Sequence, residues 1–348
     1  MSITPYIIVF IVTIISIIGL KPVSSVIGLV DLPTDRKQHI GSIPLIGGLA
    51  MFLGVSFGLY SLKLIQIEEN LIFFFIGSLI LTLTGMVDDF RGVSSNKRFI
   101  FQILVALIIV KLGGAVLEDF GGLIFGEKLY LGFFSLVISL FAVVGVINSL
   151  NFSDGIDGLS ASLSLVAFIS IAFFAFGVKE TYAFEFALIF IIALVVFLFF
   201  NLGLIIGQGF KIFMGDAGST FIGLGISWAL VSFSQGDNLI FSPVTALWIF
   251  SVPLIDTIFV MIRRVANGKS PFEPDRKHLH HFFIHSGRTD RETLFIIVSF
   301  SIVMALIGVL MEINEVNETF MFLFFLTISF TYYFGLRHAW GLLNVSKE

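Results

Sequence analysis

Four short stretches of this 348-residue chain carry groups suited to chemistry on charged phosphates. Asp88 and Asp89 are adjacent acids closing an apolar run, Gly85-Met86-Val87. Adjacent acids at a helix C-terminus sit badly with the helix dipole. Metal ligation or general-base work explains them better than structure alone. The stretch from Asn148 to Gly158 holds Asn148, Asn151, Asp154 and Asp157, more oxygen ligands than a plain turn needs. Its glycines permit tight turns and close backbone approach. Asp216, in Phe213-Met214-Gly215-Asp216-Ala217-Gly218-Ser219-Thr220, reads either as a helix N-cap or as part of a metal-bridged phosphate site at a helix start. His278, His280 and His281 follow Arg276 and Lys277. The chain has no Cys, and Arg and His beside several acids read better as pyrophosphate contacts than as zinc ligands.

Two further features bear on the same chemistry. Lys97 and Arg98 close the loop that Asp88 and Asp89 open. Membrane anchoring accounts for both, and Lys97 also suits holding a phosphate as a point charge. Asp256 lies inside an apolar run, where an acid needs a partner or a function; Arg263 or Arg264 at the end of that run would serve as its partner.

These groups must be positioned by membrane-embedded elements. Fifty-seven per cent of residues are hydrophobic, 13% are charged, Phe occurs 43 times, and mean hydropathy is +1.04. Such a chain cannot cover itself with polar groups, which excludes a disordered chain, a nucleic-acid binder and a secreted disulfide scaffold. Eleven apolar runs are long enough to read as spans. They cover about 5–20, 45–62, 71–87, 99–113, 131–148, 159–178, 185–206, 218–234, 244–262, 294–311 and 319–336. The first reads as a retained span rather than a signal peptide. Residues 114–130 are too polar to span and read as a short extramembrane hairpin or helix. The expected fold is an all-α polytopic helix bundle forming one domain over 1–348.

Sixteen of the 20 Lys and Arg fall on one side of this arrangement and four (Lys63, Lys111, Lys128 and Lys179) on the other. The positive-inside rule then places the N-terminus outside and the C-terminus in the cytoplasm. All the polar clusters fall on the cytoplasmic side, at one depth. Several carboxylates at one membrane face need a cation, and hard oxygen ligands suit Mg²⁺ or Mn²⁺. A transporter would instead place ionisable groups near the bilayer midplane, whereas here only Asp256, in the cytoplasmic half of its span, is clearly intramembrane.

The chain resembles the polyprenyl-phosphate N-acetylhexosamine-1-phosphate transferase family. Five motifs carry the resemblance: residues 35–48 (DRKQHIGSIPLIGG), Asp88-Asp89, Asn148 to Gly158, Phe213 to Thr220, and Ser270 to His281. The His-x-His-His block and the Ser-Pro-Phe-x-Pro-Asp-Arg run are more similar to the WecA type than to the MraY type, which makes the first lipid intermediate of peptidoglycan. The resemblance implies transfer of GlcNAc-1-phosphate from UDP-GlcNAc to undecaprenyl phosphate, with release of UMP, as the first lipid-linked step of a cell-envelope polysaccharide. Another UDP-N-acetylhexosamine or UDP-MurNAc-pentapeptide is the alternative donor. It implies Mg²⁺ or Mn²⁺, a bacterial inner-membrane location with the site facing the cytoplasm, and a homodimer. By the same resemblance Asp216 and Asn151 would hold the metal, and Asp88, with Asp89, would deprotonate or orient the lipid phosphate. Asp157 would face the uridine, with Asp154 near it. Lys97, Asn148, Arg276, His278, His280 and His281 would hold phosphates and sugar.

Overall fold

The computed structural model describes residues 2–33, 41–204, 208–236, 239–270 and 277–345. Arg276, and residues 35–40 of the first motif, lie outside the described residues. The rest is almost wholly helical, as the apolar runs require. Where backbone meets lipid, only a helix satisfies every N–H and C=O within its own segment.

The long helices are α1 (Thr4–Ile27), α2 (Gly47–Ser61), α4 (Leu71–Arg91), α5 (Ser95–Lys111), α6 (Ser135–Ser153), α7 (Leu159–Gly177), α8 (Thr181–Asn201), α9 (Gly215–Ser232), α11 (Ser251–Ala266), α13 (Asp290–Ile313) and α14 (Glu318–Val345). Short helices α3 (Leu64–Ile67), α10 (Pro243–Ile249) and α12 (Leu279–His285) complete the set. Each of the eleven expected runs contains a helix. Seven described helices are long and apolar enough to cross a membrane, and eight if the bent pair α10 and α11 counts as one. The protein is therefore a polytopic all-α membrane protein. Helices α2, α5 and α9, with 15, 17 and 18 residues, fall below that standard through length or composition.

The expected ninth span, 244–262, is not one rod. It breaks at Phe250, and α10 and α11 meet at 85°. Residues 114–130, expected as a hairpin or a helix, form a hairpin bridged at Asp119–Tyr130 and Ile124–Glu127.

Helix α9 is the axis of the bundle. Residues 217–231 are buried without interruption, and α4, α6 and α2 pack around them. Small residues allow this: Gly85 of α4 lies against the backbone of Ala217, where a side-chain carbon has no room. That approach brings the end of α4 onto the start of α9. An aromatic layer of Phe74, Phe186, Phe190, Trp228 and Phe168 locks the interior, with the Phe168 and Phe190 rings stacked 4.5 Å apart. A second apolar core joins α10, α11, α13 and α14 to the start of α7. Helix α14 is only 17% buried over its apolar window and turns most of its Phe-rich surface outward.

A two-stranded ribbon, β1 (Val30–Asp31) and β2 (Ile43–Pro44), closes the end where α1 stops and α2 begins. Its neighbour in space is the segment before α9. Phe213 N donates to Pro44 O at 2.9 Å, and Gly47 N and Gly48 N donate to Phe213 O and Met214 O at 3.0 Å each. The start of α9 is thus stitched to the start of α2, at the same end of the bundle as the polar clusters.

Candidate active site

The end of α4, the start of α5, the end of α6 and the start of α9 meet at one place. Asp89 turns to α9. Its Oδ1 accepts from Asp216 N at 2.8 Å and its Oδ2 from Ala217 N at 3.3 Å. The side chain of Met214, the residue before the helix, does no capping. An acid at the unfavourable end of one helix therefore caps the favourable end of another. Gly215, at φ +70°, makes room for the Asp89 carboxylate. Of the two roles open to Asp216, this arrangement excludes the cap, and its carboxylate is free for other partners.

Asp88 points the other way, to α5. Its Oδ1 accepts from Val93 N at 2.5 Å, and its Oδ2 faces Arg98 Nη1 at 3.0 Å. Arg98 also reaches Asp216 Oδ2 at 3.3 Å, so one guanidinium bridges two carboxylates. Asn151, on the last turn of α6, donates from Nδ2 to Asp216 Oδ1 at 2.5 Å and to Ser219 Oγ at 2.8 Å. Asp88, Arg98, Asn151 and Asp216 form the centre. The side chain of Asp216 is 28% exposed and that of Asp88 is 7%, so the centre opens on the Asp216 side.

The loop from α6 to α7 forms one wall. Asp157 pairs with Lys211 at 2.5 Å, and Lys211 lies over the Phe213 ring at 5.2 Å. Asp154 accepts from Ser160 Oγ at 3.0 Å. Its residue surface is exposed to solvent, but protein crowds the carboxyl itself. That local desolvation, followed by repulsion from Asp216 and Asp157, pushes its carboxyl up to about 7, while the Ser160 bond pulls downward. The folded state then binds more protons than the unfolded state between pH ~3.9 and pH ~7, so stability falls across that window as pH rises. Without divalent cation, Asp154→Asn is expected to melt about 2–4 °C above wild type at pH 8, with a smaller gap at pH 5. Tryptophan fluorescence on heating measures it, and a gap independent of pH would contradict the assignment.

The histidine block packs onto this loop. His278 and His280 are buried, and their rings are parallel within 2° at 6.0 Å. The His280 ring fills the space above Gly155 that a side chain would take. Burial and the neighbouring His281 and His278 push His280 down to about 3, so it is neutral at physiological pH. It serves as a neutral hydrogen-bonding ring, not a cation. The His278 ring lies 5.4 Å from Phe152, beside Asn151. His281 and His285 stand four apart on α12, a zinc-like spacing, but His285 Nδ1 is bonded to the His281 carbonyl at 2.8 Å. No group of three or more His, Cys, Asp or Glu is gathered for a metal among the described residues.

Two residues that the sequence singles out stand apart from the centre. Lys97 is exposed, with no ion pair among the described residues. Asn148 donates to Gln102 Oε1 at 2.7 Å and to Val144 O at 2.8 Å, tying α6 to α5. Conversely, the structure brings in Arg98 and Lys211, which in the sequence stand out only as positive charges. Arg98 is findable from helix phase. The buried residues of α5 are Gln102, Val105, Ala106, Ile109 and Val110, and a step of four back from Gln102 reaches Arg98, not Lys97. Nothing local to Lys211 marks it. Asp256 is partnered by His278 and Tyr332 rather than by Arg263 or Arg264.

The donor set fits a small hard cation of one kind. Asp216, Asn151 and Asp88 offer carboxylate and amide oxygens but no closed cage. Mg²⁺ commonly uses one or two carboxylates together with substrate phosphates and water. The amide orientation of Asn151 is set by its partners, and turning it presents its oxygen instead.

Residues 71–234, which hold Asp88, Asp89, Arg98, Asn151, Asp154, Asp157 and Asp216, match the family described as Glycosyl transferase family 4. The chain is 39% identical over 330 residues to the undecaprenyl-phosphate alpha-N-acetylglucosaminyl 1-phosphate transferase of Haemophilus influenzae, covering 94% of this chain and 92% of that protein. It is 39% identical over 336 residues to the protein of the same name from Pasteurella multocida, covering 97% and 94%. Against that of Escherichia coli K12 it is 36% identical over 346 residues, covering 99% and 94%. On motifs, geometry and near full-length similarity together, the chain belongs to Glycosyl transferase family 4, the polyprenyl-phosphate N-acetylhexosamine-1-phosphate transferases.

Proposed function

We propose that this protein transfers GlcNAc-1-phosphate from UDP-GlcNAc to undecaprenyl phosphate, giving undecaprenyl-pyrophosphoryl-GlcNAc and UMP. The observation that carries the proposal is the bridged centre of Asp88, Arg98, Asn151 and Asp216, in a chain whose relatives of that name match it almost end to end. An oxygen of the lipid phosphate attacks the β-phosphorus of UDP-GlcNAc. The bond from that phosphorus to the bridging oxygen breaks, and UMP leaves with the oxygen. Both reactants are anions, so the work is neutralisation and alignment more than covalent chemistry.

The residues divide that work. Asp216 and Asn151 would hold Mg²⁺ or Mn²⁺, which when bound neutralises diphosphate charge. Asp88 orients the lipid phosphate and removes any proton it carries, while Asp89 holds the frame. Arg98 sits between Asp88 and Asp216 and exchanges a carboxylate for an incoming phosphate. Asp154 and Asp157 face the uridine side, and Lys211 holds Asp157 in place. His278, His280 and His281 line the sugar and phosphate side, Arg276 serves the same phosphates, and Lys97 lies at the rim.

The protein works in the bacterial inner membrane with eleven spans, the N-terminus outside and the C-terminus and site in the cytoplasm, as a homodimer. The uneven split of Lys and Arg supports the orientation. A lipid acceptor and a water-soluble nucleotide donor both reach a site at that surface.

A donor panel tests the reaction. Purified protein with undecaprenyl phosphate and Mg²⁺ is expected to release UMP from UDP-GlcNAc and not from UDP-GalNAc or UDP-MurNAc-pentapeptide. Release from another donor alone would move the specificity. No release from any donor, in folded protein, would reopen the transporter reading.

A further inference from the structure

Asp256 is 7% exposed in the apolar helix α11. A carboxylate there is costly unless its lone pairs are met. Three donors from two other elements meet them. Leu279 N donates to Oδ1 at 3.0 Å and Tyr332 Oη to Oδ1 at 2.9 Å. His278 Nδ1 lies 2.7 Å from Oδ2. The first bond caps α12, whose preceding residue His278 supplies no side-chain cap. The second comes from α14, otherwise the most outward helix of the bundle. The third decides the state of an imidazole.

A carboxylate already receiving hydrogen bonds at its other oxygen is an acceptor, so the proton between it and His278 belongs on Nδ1. Nε2 is then the remaining nitrogen of the ring, an acceptor in the neutral form and a donor in the charged form. The ring cannot turn away, because it is packed between Phe152 at 5.4 Å and His280 at 6.0 Å. Phe152 is the neighbour of Asn151, which bonds Asp216. The carboxylate, the imidazole and the centre of the site are thus joined by direct contacts.

We propose that Asp256 is a positioning residue for the transfer. It holds His278 in the Nδ1–H form with Nε2 presented to the diphosphate of the nucleotide sugar, and Tyr332 fastens this pair to α14. The inference rests on the reaction proposed above.

A mutant cycle tests it. Asp256→Asn is nearly isosteric, but its amide donates to Nδ1 and drives the ring to the other tautomer. Its kcat with UDP-GlcNAc is expected to fall about 10–100-fold. The KM for undecaprenyl phosphate is expected to stay within about twofold, since His278 is assigned to the other substrate. His278→Ala should fall by a similar or larger factor, and the double variant should be no slower than His278→Ala alone. Tyr332→Phe removes one hydroxyl and should lose about 2–5-fold, again only while His278 is present. This milder variant decides the question in the same cycle if Asp256→Asn does not survive purification. Losses that multiply with His278→Ala, or wild-type kcat in Asp256→Asn, would overturn the proposal in favour of a purely architectural carboxylate. A wild type that releases no UMP would remove the reaction and this inference with it, whereas a loss confined to the variants cannot.

Discussion

Asp216→Asn is expected to release UMP at least about 10³-fold more slowly than wild type while remaining folded. The substitution keeps size and shape. An Asn at this position still accepts the Asn151 amide, whose bond to Asp216 Oδ1 is 2.5 Å, and Arg98 keeps Asp88 as its partner at 3.0 Å. The charge is lost, and with it the acceptor that Arg98 reaches at 3.3 Å. The start of α9 is held by Asp89 through the backbone N–H groups of residues 216 and 217, which the substitution does not touch. Melting temperature should therefore change little while turnover collapses. Near-wild-type turnover would remove Asp216 from the proposed metal site.

The second large effect separates two neighbouring cations. Arg98→Ala is expected to lose about 10²–10³-fold in kcat/KM, and Lys97→Ala no more than about 10-fold, through KM. Arg98 stands 3.0 Å from Asp88 and 3.3 Å from Asp216. Removing it leaves two carboxylates facing each other, one of them nearly buried. A fully buried broken pair costs about 3–5 kcal/mol. Arg98 is 36% exposed, so about 1–2 kcal/mol is the fitting scale after screening. Raising Mg²⁺ should recover part of that stability, because a divalent cation can stand between the carboxylates. Arg98→Lys keeps the charge but not the planar guanidinium whose Nη1 meets both partners, and should fall between the two alanine variants. Steady-state kinetics with both substrates varied measures all three. Equal losses for Lys97→Ala and Arg98→Ala would mean that the helix phase of α5 does not choose between them.

Much of this site is legible in the amino-acid sequence. Apolar run lengths mark every long helix, because lipid leaves the backbone no alternative. The side of each loop groups Asp88, Asn151, Asp154 and Asp216, and the structure places Asp88, Asn151 and Asp216 in one bonded set and Asp154 in the adjoining wall. What stays hidden depends on direction rather than position. Lys97 and Arg98 differ by one residue, yet only one lies on the buried stripe of α5. Asn148 looks like a ligand by type, yet its place on α6 turns it to Gln102. The break at Phe250 is illegible because both halves of the run are apolar, so hydropathy passes smoothly through an 85° bend. Asp256 is recognisable as an acid that needs a partner. Its actual partners lie 22 and 76 residues away, and no spacing rule reaches them.

Asp88 and Asp89 are neighbours in the chain but answer to different constraints. Asp89 must offer two acceptor atoms to two backbone N–H groups of another helix, which a carboxylate can do and a single carbonyl cannot. Asp88 must keep its charge beside a guanidinium. A screen that records only whether product forms would score the two positions alike. It would count the joint between two helices as part of the chemistry, and so overstate the number of residues that ever meet a substrate. In this fold the tolerance of the site to sequence change is set in part by where α9 begins.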